Sequence, residues 1–379
     1  MQSIQIVILH VGSHITLHMA AVWLVRFEYP VMFQTAKKTL YDCVIPAPTY
    51  ISIEARIPYP SSRARQRLLV YCPPLSLWNT SPLGGRSIDL LRPIVDAQLK
   101  NILAGQLIAM DETPVKAGKA GKGKLKQSWF WPVYGDQDEI VFTFSRSRGR
   151  QHIEKVLKAD FKGTLICDGY AAYASYAQKN EGIVHAQCWV HSRRKFIEAE
   201  NESPDQVKEA LLMIATLYRT EDEIEAQSLC DEKKQAQRIE KSKPIVDQLF
   251  QWCHEQLKRD DLLPKSALRK AINYVLSREA PLRVFLEDPV VPLDTNHLER
   301  ALRPIPMGRK NWLFCWTELG AEHVGIIQGL ISTCKLHNIN PYTYLTDVLL
   351  RINVHPASEV EELTPRLWKD SKRSFLPTY

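Results

Sequence analysis

The first 25 residues contain no Asp, Glu, Lys or Arg. The uncharged run 4–25 is long enough to suggest a membrane span. Three histidines and several small polar residues interrupt it, and no basic segment precedes it, so neither an anchor nor a secretory signal is the preferred reading. His10, His14 and His18 would share one helix face, a spacing that suits zinc, but no acid accompanies them and a buried helix face is the simpler reading.

Cysteine pairs are also missing. The eight cysteines are scattered and none forms Cys-x-x-Cys, which excludes a readable zinc ribbon or thioredoxin-like site. Scattered thiols fit a reducing, cytoplasmic setting. Beyond the front of the chain, excess charge is missing too. Residues 1–88 hold eight Lys/Arg against three Asp/Glu, which leaves 41 against 39 for the rest. Any nucleic-acid surface must therefore come from local clusters. Residues 26–88 lack a hydrophobic period and carry eight prolines, with Arg63, Arg65 and Arg67 as a basic patch. We expect an irregular arm over 1–87, a linker or, less simply, a DNA-contacting segment.

What is present begins at Ile88, where Leu91, Ile94, Val95, Leu99 and Ile102 recur at helical spacing and Gly105 closes the helix. Four apolar residues, Leu107 to Met110, then run into Asp111, and Pro114 is expected to stop that strand. The pattern returns at Thr164-Leu-Ile-Cys-Asp168. Two strands of one sheet ending in Asp place two carboxylates side by side. Their repulsion is relieved by a hard divalent cation.

Between the two acids, 116–126 holds five Lys and three Gly and is expected to be a flexible basic loop, with Lys122 and Lys124 as phosphate contacts. Ser128 to Tyr134 and Glu139 to Phe144 read as a hairpin whose aromatics belong to the core. Arg146, Arg148 and Arg150 follow in a Ser/Gly-rich bend suited to backbone phosphates. A helix over 151–158 leads to the second acid, a short helix over 171–177 follows, and 183–186 is a further strand.

Antiparallel strands followed by α/β alternation is the order of a ribonuclease H-like mixed sheet. The segment Cys188-Trp-Val-His191 offers only two metal ligands, so Cys188 and His191 are expected to brace the site. Arg193, Arg194 and Lys195 would face DNA from the next helix. Residues 203–286 are helical almost throughout, with 221–243 read as a solvated charged helix. A third acid, Glu299, lies on a helix with Asn296, Arg300 and Arg303 on its polar face. Arg309 and Lys310 follow beside aromatics. The expected fold class is therefore α/β: a core begun over 88–202, a large helical insertion over 203–290, and a completion over 291–355. A loose tail over 356–379 closes the chain.

The segments Ala109-Met-Asp-Glu-Thr-Pro-Val115, Cys167-Asp-Gly-Tyr-Ala-Ala-Tyr173, Cys188-Trp-Val-His-Ser-Arg-Arg-Lys-Phe196 and Arg303-Pro-Ile-Pro-Met-Gly-Arg-Lys-Asn-Trp-Leu-Phe314, with the Glu299 helix between the last two, occur in one order. From about 88 to 355 the chain resembles the transposases of the IS66 insertion-sequence family, DDE-type enzymes. The resemblance implies that Asp111, Asp168 and Glu299 are the catalytic acids and hold two Mg²⁺ or Mn²⁺ ions. It implies DNA as partner, both element ends and target, with multimers and element-encoded accessory proteins. Two positions depart from the family: Thr295-Asn296 stands for the usual Asn-Asn, and Arg300 for a common Asn. The family's upstream zinc-finger-like and helical DNA-binding region is not recognisable in 1–87. The alternatives are a ribonuclease H-like nuclease without strand transfer and a degenerate, non-catalytic DNA-binding remnant.

Overall fold

The computed structural model describes residues 49–53, 68–72, 82–121, 124–158, 161–312, 314–315 and 317–371. The run 4–25, its histidines, Arg63, Arg65, Arg67 and Lys122 lie outside these residues. Within the expected irregular arm, β1 (Thr49–Ile53) and β2 (Leu68–Cys72) form an antiparallel pair. Helix α1 (Pro82–Asp89) and α2 (Arg92–Leu103) precede the main sheet. Pro93 stands in the first turn of α2, where a missing N–H costs nothing.

The sheet has six strands. The first four are β3 (Leu107–Met110), β4 (Thr113–Gly121), β5 (Lys124–Gly135) and β6 (Ile140–Ser145). The long β5 pairs with β6 on one edge and with both β3 and β4 on the other, all antiparallel. Met110 opposite Val133 and Thr113 opposite Phe130 continue one register. Asp111 and Glu112 therefore fall opposite Pro132 and Trp131, where the ladder lapses and Pro132 has no N–H to offer.

Two expectations are corrected here. Pro114 does not end the strand; it sits on edge strand β4, which needs no donor from it. The basic loop is a β-ribbon, β4 against β5, with irregularities between Lys116, Lys119 and Gly121. Gly118 there has a positive φ of 70°, a conformation glycine adopts without steric cost.

Helix α3 (Arg150–Leu157) leads to β7 (Gly163–Cys167), α4 (Ala171–Lys179) to β8 (Ile183–Gln187), and α5 (Trp189–Ile197) follows. β7 is parallel to both β3 and β8. Helices cover both faces, so the two inner parallel strands, β3 and β7, are buried on both sides, which is why they read as apolar runs, whereas the edge strand β8 carries His185 and Gln187. Leu107, Ala109 and Ile166 enter one core and Ile108, Met110, Leu165 and Cys167 the other.

The helical stretch comprises α6 (Pro204–Ala226), α7 (Asp231–Gln237), a π-helical turn Arg238–Ser242, α8 (Lys243–Leu257), α9 (Ala267–Leu276) and α10 (Glu279–Glu287). It is not one solvated helix over 221–243. Arg238 is fully buried, paired with Glu221 at 2.7 Å, and donates to the carbonyls of Phe285 at 2.8 Å and Val291 at 3.0 Å.

The chain returns to the sheet through α11 (Asn296–Leu302), α12 (Pro304–Trp312) and α13 (Glu318–Leu336). A Cβ at Gly325 would lie 2.5 Å from the Phe142 carbonyl, so this glycine lets α13 lie directly on β6. Next come α14 (Pro341–Arg351), a 3₁₀ turn Ala357–Leu363 and α15 (Pro365–Ser371). The expected loose tail is packed as far as it is described. Leu363 and Trp368 are buried, Tyr344 donates to the Leu363 carbonyl at 2.7 Å, and the Trp368 indole donates to Asp347 at 2.6 Å. Among the described residues no helix is long and apolar enough to cross a membrane.

Candidate active site

Parallel pairing of β3 with β7 aligns Ala109 with Ile166, so Asp111 and Asp168, each two residues further on, leave the sheet at the same end. Carboxylate oxygens of Asp111, Glu112 and Asp168 lie within 4.8 Å of one another. The three acids open onto a cleft of about 360 Å³ whose other walls include Arg148, His191, Arg194, Glu299 and Arg303.

Burial and then the negative charge of Asp168 push the Asp111 carboxyl up to about 7. A short bond from the Glu112 N–H to Asp111 Oδ1, 2.7 Å, opposes that shift. Asp168 is oriented by the backbone N–H of Tyr170 at 2.9 Å. Glu112 was not singled out from sequence. Its side chain is 1% exposed. Tyr173 donates to one of its oxygens at 2.8 Å and Arg148 to the other at 2.7 Å. Burial raises the Glu112 carboxyl, and these two donors partly offset it. The Arg148 guanidinium also lies 4.2 Å from the Tyr170 ring centre, and its carbonyl accepts from the Tyr170 hydroxyl at 2.6 Å. An acid following Asp111 at the same strand end was the visible signal; its buried partner Tyr173 was not legible.

Glu299 stands outside the 4.8 Å group but lines the same cleft, close enough that its charge adds to the rise at Asp111. Its Oε1 lies 3.9 Å from His191 Nε2. Burial holds the His191 imidazole below its ordinary pKa despite Asp168 and Glu299 nearby. The segment 188–191 docks the Glu299 helix onto the sheet. The Cys188 thiol accepts from the Thr295 N–H at 3.3 Å, the Trp189 N–H donates to the Leu293 carbonyl at 3.1 Å, and the Trp189 indole donates to the Leu282 carbonyl at 2.9 Å. Arg238 holds the Val291 carbonyl just upstream.

The family model described as "Transposase IS66 family" matches residues 81–323. The chain belongs to the IS66 transposase family. A second model, the IS66 C-terminal element, matches 329–366, which includes the 3₁₀ turn and the start of α15. An uncharacterized protein of Sinorhizobium fredii, y4qI, is 32% identical over 292 residues, 73% of this chain and 53% of that protein. A second from that organism, y4jD, is 31% identical over 312 residues, 78% of this chain and 59% of that protein. The chain thus spans between half and three fifths of the curated relatives it matches.

The remaining basic residues fall in three groups. Arg194 and Arg303 are exposed and line the cleft. Arg193 is exposed on α5, and Lys124 is exposed on the ribbon. Arg146, Lys195 and Arg309 are engaged within the chain. Arg146 pairs with Glu318, Lys195 pairs with Glu198 at 2.8 Å, and Arg309 donates to the Pro114 carbonyl. Lys310 is in α12 but its side chain lies outside the described residues. Asn296 donates its side-chain amide to Asp294 at 2.6 Å, so it shapes the start of α11 and is not among the cleft walls.

Proposed function

We propose that this IS66 chain is a DDE-type polynucleotidyl transferase that cleaves DNA at element ends and joins the freed end to a target. The observation that carries the reading is convergence: Asp111, Asp168 and Glu299, from two strands and a distant helix, line one cleft. The strand order β6-β5-β3-β7-β8, with β3, β7 and β8 parallel and β5 and β6 antiparallel, supports a ribonuclease H-like core. In this reading the core spans 88–202 and 291–355, and the helices of 203–290 are an insertion that braces the Glu299 segment through Arg238.

The donor set fits Mg²⁺ or Mn²⁺. All three close ligand atoms are hard carboxylate oxygens, and Asp111 is raised by burial and by the charge of Asp168, a cost that a bound cation would relieve. Asp111, Glu112 and Asp168 would hold one ion, and Glu299 with the two aspartates a second. When bound, such ions supply Lewis-acid stabilisation of attacking and leaving oxygens in phosphodiester hydrolysis and strand transfer. The chain's own contribution is placement. Tyr170 and Glu112 N–H groups orient the two aspartates, and Cys188 and Trp189 fix the Glu299 helix. Arg194 and Arg303 offer the cleft the positive charge that a DNA backbone requires.

The test is incubation of the full chain with Mg²⁺ and a duplex in which the element's terminal repeat is joined to flanking DNA. The expected result is nicking at the repeat boundary and joining of the 3′ end to a target, both absent in Asp111→Asn and Asp168→Asn. Cleavage without joining would make the protein a nuclease. Cleavage retained in either variant would overturn the site.

A further inference from the structure

We propose that the β4–β5 ribbon enters the major groove of duplex DNA and contacts both backbones, one with each of its faces. The inference rests on the reading above that DNA is the substrate, and adds how the duplex is held.

From Thr113 to Gly135 there is no acidic residue. Lys116 pairs with Gln127 and Lys119 with Leu125, so these two lysines share one face of the ribbon. Lys124 and Lys126 alternate with Leu125 and Gln127 along β5 and therefore occupy the opposite face. All four lysines are exposed. A ribbon resting flat on a duplex would present one basic face. A ribbon between two phosphate backbones meets negative charge on both. The major groove, about 12 Å wide, admits a two-stranded ribbon.

Residues 114–118 of the ribbon are fixed against the body of the protein, and Lys119, Gly121, Lys124 and Lys126 beyond them are exposed. Ala117 bridges to Cys315, and the Cys315 N–H donates to the Lys116 carbonyl at 2.9 Å. Arg309 holds the Pro114 carbonyl. Gly118 lies against Glu318, whose Cγ would be 3.1 Å from a Cβ there. At about 3.3 Å per residue, Gly118 to Gly121 carries β4 roughly 10 Å past that fixed part. The start of β4, Thr113, is two residues past Asp111, so a groove-bound ribbon sets the distance between the duplex and the carboxylates.

The experiment is fluorescence anisotropy of the full chain on a duplex of arbitrary sequence across a salt series. Wild type is compared with Lys116→Ala/Lys119→Ala and with Lys124→Ala/Lys126→Ala. Each pair is expected to weaken binding and to reduce the slope of log affinity against log salt by about 2. Methyl green, a major-groove ligand, should compete with the lysine-dependent part of binding, and distamycin, a minor-groove ligand, should not. Loss confined to one pair, no loss in either, or competition by distamycin instead would overturn the inference and leave the proposed function standing. Failure of the wild type to bind duplex at all would overturn both. Unchanged circular dichroism and unchanged Mn²⁺ binding in the variants keep a folding defect from imitating the expected result.

Discussion

The Cys188 thiol accepts a hydrogen bond from the backbone N–H of Thr295 at 3.3 Å, joining residues 107 apart in sequence. One end of that bond is the start of α5, beside β8; the other is the residue that opens α11. It is one of the links by which a helix that follows the insertion is held at the end of the sheet. Cys188→Ala leaves a buried N–H without a partner, which costs about 1–3 kcal/mol. Urea unfolding should show that loss, and Cys188→Ser, which keeps an acceptor, should lose less. Hydrogen exchange over 295–302 should quicken in the alanine variant.

Asp111 makes metal-free stability fall with rising pH. Its folded pKa, about 7, lies above the ordinary 3.8, so the folded state binds more protons than the unfolded chain between those values. The contribution is present in full below the unfolded value and is lost as pH rises through the folded one. Asp111→Asn should flatten this dependence and raise the melting temperature at pH 8 in the absence of divalent ions, by scanning calorimetry. A lower melting temperature in the variant at that pH would contradict the assignment of strain to this carboxylate.

Arg238 is fully buried and satisfies both Glu221 and carbonyls on the approach to α11. Arg238→Met should destabilise by about 3 kcal/mol or more, because Glu221 and the carbonyls lose a charged donor together. Chemical unfolding measures this. A change within error would show the pair to be dispensable.

Gly169 follows the second acid and leaves room for Tyr274: a Cβ there would lie 2.2 Å from the tyrosine hydroxyl. Gly169→Ala should cost about 1–3 kcal/mol through this overlap. Combining it with Tyr274→Ala should recover part of that cost, measurable as a double-mutant cycle.

The two strands that deliver Asp111 and Asp168 were legible because each is buried on both faces and so appears as an unbroken apolar run ended by an acid. The Glu299 helix was legible from its polar face and its order in the chain. The ribbon was not. Lys and Gly have low strand propensity, and its irregular pairing between Lys116 and Gly121 erases the alternation that marks a strand. Arg238 was hidden for a similar reason. A buried arginine among charged neighbours has the same local pattern as a solvated one, and only its carbonyl partners, 47 and 53 residues away, distinguish it. Glu112 stood next to the first acid, but its role depends on Tyr173, 61 residues later. The charge of the tail suggests a loose segment, whereas Trp368 ties α15 to α14 through Asp347 and the Tyr344 ring.

The most direct test of convergence is calorimetric titration of the full chain with Mn²⁺, with folding checked by circular dichroism. Wild type is expected to bind, and Asp111→Asn, Asp168→Asn and Glu299→Gln each to weaken binding by about tenfold or more. Binding at wild-type strength in Asp168→Asn, or no difference between Glu299→Gln and wild type, would contradict a shared metal centre.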